Sequence, residues 1–226
     1  LLERGKARPV QLNSGFKDLD QAYGALPATG LTLIGARPGM GKTLFMVQLA
    51  LQISREVPVL YLTGERTTFS IGHRFLSALS GIELYRLLRE KLSADGLEAM
   101  HAIAGQMKNR HLFINEDPAG NVKDFLESTT TFIREHKIKA LFIDDFSTFQ
   151  QYLQVPKLTC QELHELAQTE NISIIFSDNL STFSESFGGA KRPSLYDLRD
   201  ESIERFADKI VMLYRARHYG ITVDEE

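Results

Sequence analysis

Short apolar runs recur along the chain at 31–35, 57–62, 112–114, 140–143, 172–176 and 210–214. Each is bounded by polar or turn-forming residues, the mark of a strand buried in a sheet. Longer stretches with helical spacing separate the first five runs, at 42–55, 69–80, 94–108, 122–136 and 158–170. Asn121 stands where it can cap the fourth of these, with Asp124 at the third helical position. The alternation predicts an α/β fold with a mostly parallel central sheet flanked by helices. The first 30 residues are mixed and broken by Gly15, Gly24, Pro27 and Gly30, so 1–30 reads as a lead-in and 31–226 as the core. Ligands of such sheets sit beyond the strands' carboxyl ends. Thr43, Glu65, Asp144 and Asp178 all fall at or just after those ends.

Composition narrows the field without choosing a function. A chain of 226 residues, 43% apolar and 24% charged, can bury one substantial core. A net charge of -3 gives no global attraction for nucleic acid, so any such binding needs a local patch or one assembled by several subunits. The single cysteine, Cys160, excludes an internal disulfide framework and suits a reducing compartment. No 18-residue apolar run and no secretory leader are visible, which gives a cytoplasmic expectation with no membrane partner. The start at Leu1, without a methionine, reads as a fragment or an excised domain.

The run GARPGMGKT, 35–43, lies between the first strand and the first helix, where a phosphate-binding loop belongs. Gly39 and Gly41 allow backbone amides to wrap phosphate oxygens, and the helix start adds its positive dipole end. Lys42 supplies a mobile charge for the terminal phosphates, and Thr43 a hydroxyl for Mg²⁺. The expected nucleotide contacts are Arg37, Pro38, Gly39, Met40, Gly41, Lys42, Thr43 and Leu44, with ATP and Mg²⁺ as ligands. The strict pattern asks for glycine at position 36, where this chain has Ala36. KALFIDD, 139–145, is an apolar strand ending in two acids. Asp144 is the better metal candidate, since the strand leads straight into it; Asp145 either supports it or is solvated. Glu65, at the end of VPVLYLTGE, is expected just past the strand neighbouring the phosphate loop, where a carboxylate polarises an attacking water. Arg66 either pairs with it or faces solvent. Asp178 and Asn179 compete to sense the γ-phosphate, because a bare carboxylate beside a triphosphate is repelled. The six histidines show no metal-ligand spacing, and no zinc site is assigned.

Several segments together resemble the C-terminal motor domain of bacterial replicative DNA helicases of the DnaB family. NSGFKDLDQAYGAL (13–26) is similar to the family's lead-in, and GARPGMGKT to its phosphate loop, including the alanine and the Arg-Pro pair. LTGER matches the strand-end segment with the catalytic glutamate, carried onto Glu65. Arg74 sits where the family has an arginine in the next helix, and LFIDD matches the second acidic motif at Asp144. KRP (191–193) and DLRDESIERFADKIVMLYRA (197–216) resemble the family's most recognisable later stretch. That stretch separates it from recombinase-like or clock-type ATPases sharing the core.

The resemblance implies a RecA-like P-loop ATPase core and an ATP-dependent DNA helicase motor. Such domains form a ring of six around single-stranded DNA, with ATP between neighbours and a primase or loader as further partner. It also implies that residues 180–195 form a DNA-binding loop, with Lys191, Arg192 and Arg199 toward the nucleic acid. The chain departs from the family in several places, among them a shorter stretch between Asp144 and Asn171. Asp178 replaces a glutamine, Asn179-Leu180-Ser181 replaces a Leu-Asn-Arg run, and RDES (199–202) replaces Arg-Glu-Ser-Gly. The family's trans-acting arginine run does not occur before DEE (224–226), so weak ATPase activity is expected of these residues alone, the core ending short of its final strands. The departures keep open a non-enzymatic, nucleotide-dependent assembly or helicase-loading protein.

Overall fold

The computed structural model describes residues 11–64, 67–89, 94–108, 110–115, 120–153, 157–187 and 191–221. The lead-in contributes two short strands, β1 (Gln11–Leu12) and β2 (Leu26–Pro27), paired antiparallel around helix α1 (Lys17–Tyr23). The central strands are β3 (Gly30–Ala36), β4 (Val59–Thr63), β5 (Leu112–Asn115), β6 (Ala140–Asp144), β7 (Ser173–Asn179) and β8 (Lys209–Leu213). They form one parallel sheet in the order β5-β4-β6-β7-β3-β8. Parallel neighbours require crossovers, and helices supply them. These are α2 (Lys42–Ile53), α3 (Thr68–Ser80), α4 (Leu84–Arg89), α5 (Ala94–Lys108), α6 (Val122–His136), α7 (Phe146–Tyr152), α8 (Cys160–Glu170) and α9 (Ser202–Phe206). Among the described residues, no helix is long and apolar enough to cross a membrane.

The period of two in a strand divides the core into two layers. Leu31, Leu33, Leu60, Leu62, Leu141, Ile143, Ile174 and Phe176 face one side, against Phe125 and Ile133 of α6 and Leu163 and Ala167 of α8. Ile34, Val59, Tyr61, Ala140, Phe142 and Ile175 face the other, against Met46, Leu49 and Ala50 of α2 and Ile71 and Phe75 of α3. Burial on both faces is why these strands read as continuous apolar runs.

All six expected strands form, with ends moved by up to three residues. Asn121 caps α6, its side chain accepting from the Asp124 amide at 2.9 Å. The fifth expected helix starts at Cys160 rather than 158, because Thr159 and Glu162 form a reciprocal capping box there. The expectation that the strand before Glu65 neighbours the phosphate-loop strand is corrected by the strand order: β4 does not pair with β3, and β6 and β7 lie between them.

Candidate nucleotide site

The turn after β3 is shaped by two glycines in the left-handed region, Gly39 (φ 80°) and Gly41 (φ 95°). Side chains are strained in that region, so glycine is required for the chain to curl there. Gly41 is the N-cap of α2, its carbonyl accepting from the Phe45 amide at 3.0 Å, and Lys42 and Thr43 open the helix. Pro38 and Met40 complete the loop, and Leu44 is exposed on the helix's first turn. A helix start with converging amides, preceded by a left-handed curl, is an anion-binding shape.

Three buried carboxylates gather at the carboxyl ends of the two strands next in order. Asp144, the last residue of β6, is 3% exposed and accepts from the Tyr61 hydroxyl at 2.8 Å and the Ser177 hydroxyl at 2.6 Å. Those donors come from β4 and β7, on either side, and fix the carboxylate's orientation. Asp145 is also buried, and the solvated alternative for it is set aside: it forms an ion pair with the Lys42 ammonium. It also accepts from the Asn179 amide group at 2.8 Å and caps α7 through the Thr148 amide at 3.0 Å. Lys42 donates a second bond to Asn179 Oδ1 at 3.1 Å.

Asp178 is turned toward α7, accepting from the Ser147 hydroxyl and from the Asn179 amide. Burial pushes its carboxyl above the ordinary aspartate value, and the negative charge of Asp145 adds to this; the two hydrogen bonds and Lys42 oppose it. Of the competing pair, Asn179 makes the direct contact with Lys42 and Asp178 does not. Glu65 and Arg66 lie outside the described residues.

The Arg37 side chain departs from the expected nucleotide contact. Its guanidinium is buried, 4% exposed, and directed into the 181–197 segment and the final turn, where it meets Glu185, Asp197 and Tyr219. Asp197 is held below its ordinary value: burial raises it, but amide hydrogen bonds from Ser184 and Ser194, with the Arg37 charge, outweigh that. Lys191 and Arg192 sit over aromatic rings, the Lys191 ammonium 5.4 Å from the Tyr219 centroid and the Arg192 guanidinium 5.8 Å from that of Tyr214. Arg199 is exposed. The segment expected as one loop contains two short 3-10 turns, Phe183–Phe187 and Leu195–Asp197, and residues 188–190 lie outside the described ones.

Tyr61, Ser177 and Ser147 carry no signal in the sequence: Tyr61 and Ser177 lie in or beside apolar runs and Ser147 in a stretch with no visible period, and they become polar partners only once the sheet forms. Among the described residues, no group of three or more His, Cys, Asp or Glu side chains has the geometry to hold a metal ion. A hydroxyl at Thr43 and one carboxylate suit a hard cation that keeps most ligands from phosphate and water. A 600 Å³ cleft lined by Tyr23, Pro27, Lys139, Asn171 and Asp208 opens at the strands' amino ends, the wrong end of a parallel sheet for the nucleotide.

Comparison with known proteins bears on the fold and the family. Two solved structures superpose on nearly the whole chain with TM-scores of 0.82. One is described as an ATPase domain (24% identity, 96% of this chain and 81% of that one), the other as a DnaB-like replicative helicase with its interactions with primase (23%, 97% and 55%). They show the fold, a RecA-like P-loop core. A probable replicative DNA helicase of Trieres chinensis is 30% identical over 97% of this chain, and a probable plasmid replicative DNA helicase of Chlamydia psittaci 29% over 92%. The chain spans about half the length of these relatives, 51% and 47%. The family model for the DnaB-like helicase C terminal domain matches residues 11–226. That match, over nearly the whole chain, shows that the chain belongs to the DnaB-like helicase C-terminal domain family.

Proposed function

We propose that the chain is the ATP-driven motor of a DNA helicase, working on single-stranded DNA within a hexameric ring that engages a primase or loader. The observation that carries this is the placement of Lys42. It projects from the start of α2 into a carboxylate-and-amide set built by β6 and β7. A lysine so placed is positioned to exchange a protein carboxylate for a phosphate oxygen. The amides of 39–43 and Lys42 hold the phosphates, Thr43 and Asp144 hold the metal, and Asn179 orients Lys42. Mg²⁺ supplies charge neutralisation on the terminal phosphates when bound. Glu65 accepts the proton of the attacking water, and a neighbouring subunit completes the charge stabilisation. Lys191, Arg192 and Arg199 contact the DNA backbone.

The test is Glu65→Gln. The motor reading requires hydrolysis to fall by about 10²–10⁴-fold while ATP still binds. Hydrolysis that persists in the variant removes Glu65 from the mechanism. Nucleotide binding without hydrolysis in the unaltered protein favours a nucleotide-dependent assembly or loading protein instead.

A further inference from the structure

Arg37 lies in the phosphate loop, yet its guanidinium belongs to another part of the molecule. Nε donates to the Ser181 carbonyl at 3.2 Å and lies 3.3 Å from a Glu185 carboxylate oxygen. One terminal nitrogen donates to the Lys191 carbonyl at 2.6 Å and to the Tyr219 hydroxyl at 3.0 Å, and the other to Asp197 at 3.3 Å. Asp197 in turn accepts from the Ser184 amide at 2.8 Å and the Ser194 amide at 2.9 Å, and the Tyr219 hydroxyl donates to Glu185 at 2.6 Å. Both ends of the segment carrying Lys191 and Arg192 are therefore tied to one side chain of the phosphate loop. The Lys191 backbone is itself left-handed, φ 53°, where its carbonyl meets Arg37. That carbonyl hydrogen bond sets where the adjacent basic side chains project.

The arrangement uses properties particular to arginine. A planar fork with several donors satisfies carbonyls and carboxylates in fixed relative directions, which a lysine ammonium cannot do. Leaving a buried guanidinium or the fully buried Asp197 unpaired is strongly unfavourable. The phosphate loop and residues 181–187 and 191–197 must therefore shift together, or the network must switch as a unit.

We propose that Arg37 is a positioning residue that couples the phosphate loop to residues 181–187 and 191–197, so that a triphosphate on the loop sets the placement of Lys191 and Arg192 against single-stranded nucleic acid. This deepens the motor reading and rests on it.

The experiment measures the affinity of the full chain for a labelled oligothymidylate, with and without a non-hydrolysable ATP analogue and Mg²⁺. The ratio of the two affinities is the coupling, expected between roughly 5- and 150-fold in the unaltered protein. Asp197→Asn and Tyr219→Phe change the partners of Arg37 without substituting a residue of the phosphate loop. They should retain analogue affinity and bring the ratio close to one. Arg37→Lys, which keeps the charge and loses the fork, should lower the ratio in the same way. A weaker DNA affinity with the ratio unchanged would mean that the network only stabilises the segment, and overturns the coupling. If a variant fails to fold, Glu185→Gln keeps the shape of the acid and gives the same reading. A ratio of one in the unaltered protein sinks the coupling and the motor reading together; a large ratio that the variants preserve sinks the coupling alone.

Discussion

Asp178 is held with its charge against the preference of its surroundings. Its carboxyl titrates above the ordinary aspartate value because it is buried, with Asp145 close by. Above the unfolded chain's value the folded form holds more protons than the unfolded one, so this group subtracts stability as pH rises through that window. Asp178→Asn keeps an oxygen for the Ser147 hydroxyl and the Asn179 amide while removing the charge. The variant should melt higher than the parent at pH 7–8, with the difference shrinking as pH falls toward 4. Each kcal/mol corresponds to about 2–4 °C for a domain of this size, and melting curves at several pH values check it. At this scale the sequence was informative where spacing defines chemistry, as with Lys42 and the Asp144–Asp145 pair. It was silent where a contact depends on strand order. The Tyr61 hydroxyl reaches Asp144 only because β4 pairs with β6, and nothing in VLYLT distinguishes a tyrosine that packs from one that also donates.

The junction between β4 and α7 shows how closely the elements meet. A Cβ built on Gly64 would lie 2.6 Å from the Phe149 backbone nitrogen and 2.7 Å from its Cα, both on α7. Backbone cannot swing aside as a flexible side chain can. Gly64→Ala should cost about 1–3 kcal/mol in urea unfolding, and under the proposed function it should slow hydrolysis as well, because residue 64 precedes Glu65 in the sequence. The glycine of LTGER thus has a packing reason that the motif alone does not reveal. The six parallel strands were legible because burial on both faces leaves long apolar runs. Helix α7 was not: it has seven residues, FSTFQQY, too few for a helical period to stand out, and it forms because Asp145 caps it and Phe149 is buried beneath it.

Over the whole molecule, the sheet divides the core into two apolar layers, and Cys160 is sealed in the layer under α8. Burial pushes its thiol up to about 11, with the Asp200 charge adding and a Ser202 hydrogen bond opposing. The thiolate is the reactive form, so a disulfide reagent should label the native protein very slowly at pH 8. As the chain carries one cysteine, labelling then reports opening of this layer. Labelling should accelerate sharply through the urea transition and follow it; rapid modification of the native chain would contradict the packing around α8.

Under the proposed function, the pairing of Lys42 with Asp145 makes nucleotide arrival an exchange of counterions: an incoming phosphate would take the ammonium, and the carboxylate it displaces would stay within the site as an additional negative charge. Uncomplexed ATP should therefore bind poorly, and chelating Mg²⁺ with EDTA should weaken ATP binding sharply. Asp145→Asn removes the displaced charge, so the gap between affinities in Mg²⁺ and in EDTA should narrow, as titration calorimetry of both proteins can measure. The same carboxylate also caps α7, the helix packed on Gly64, so under the proposed function the counterion exchange at Lys42 takes place one hydrogen bond away from that helix.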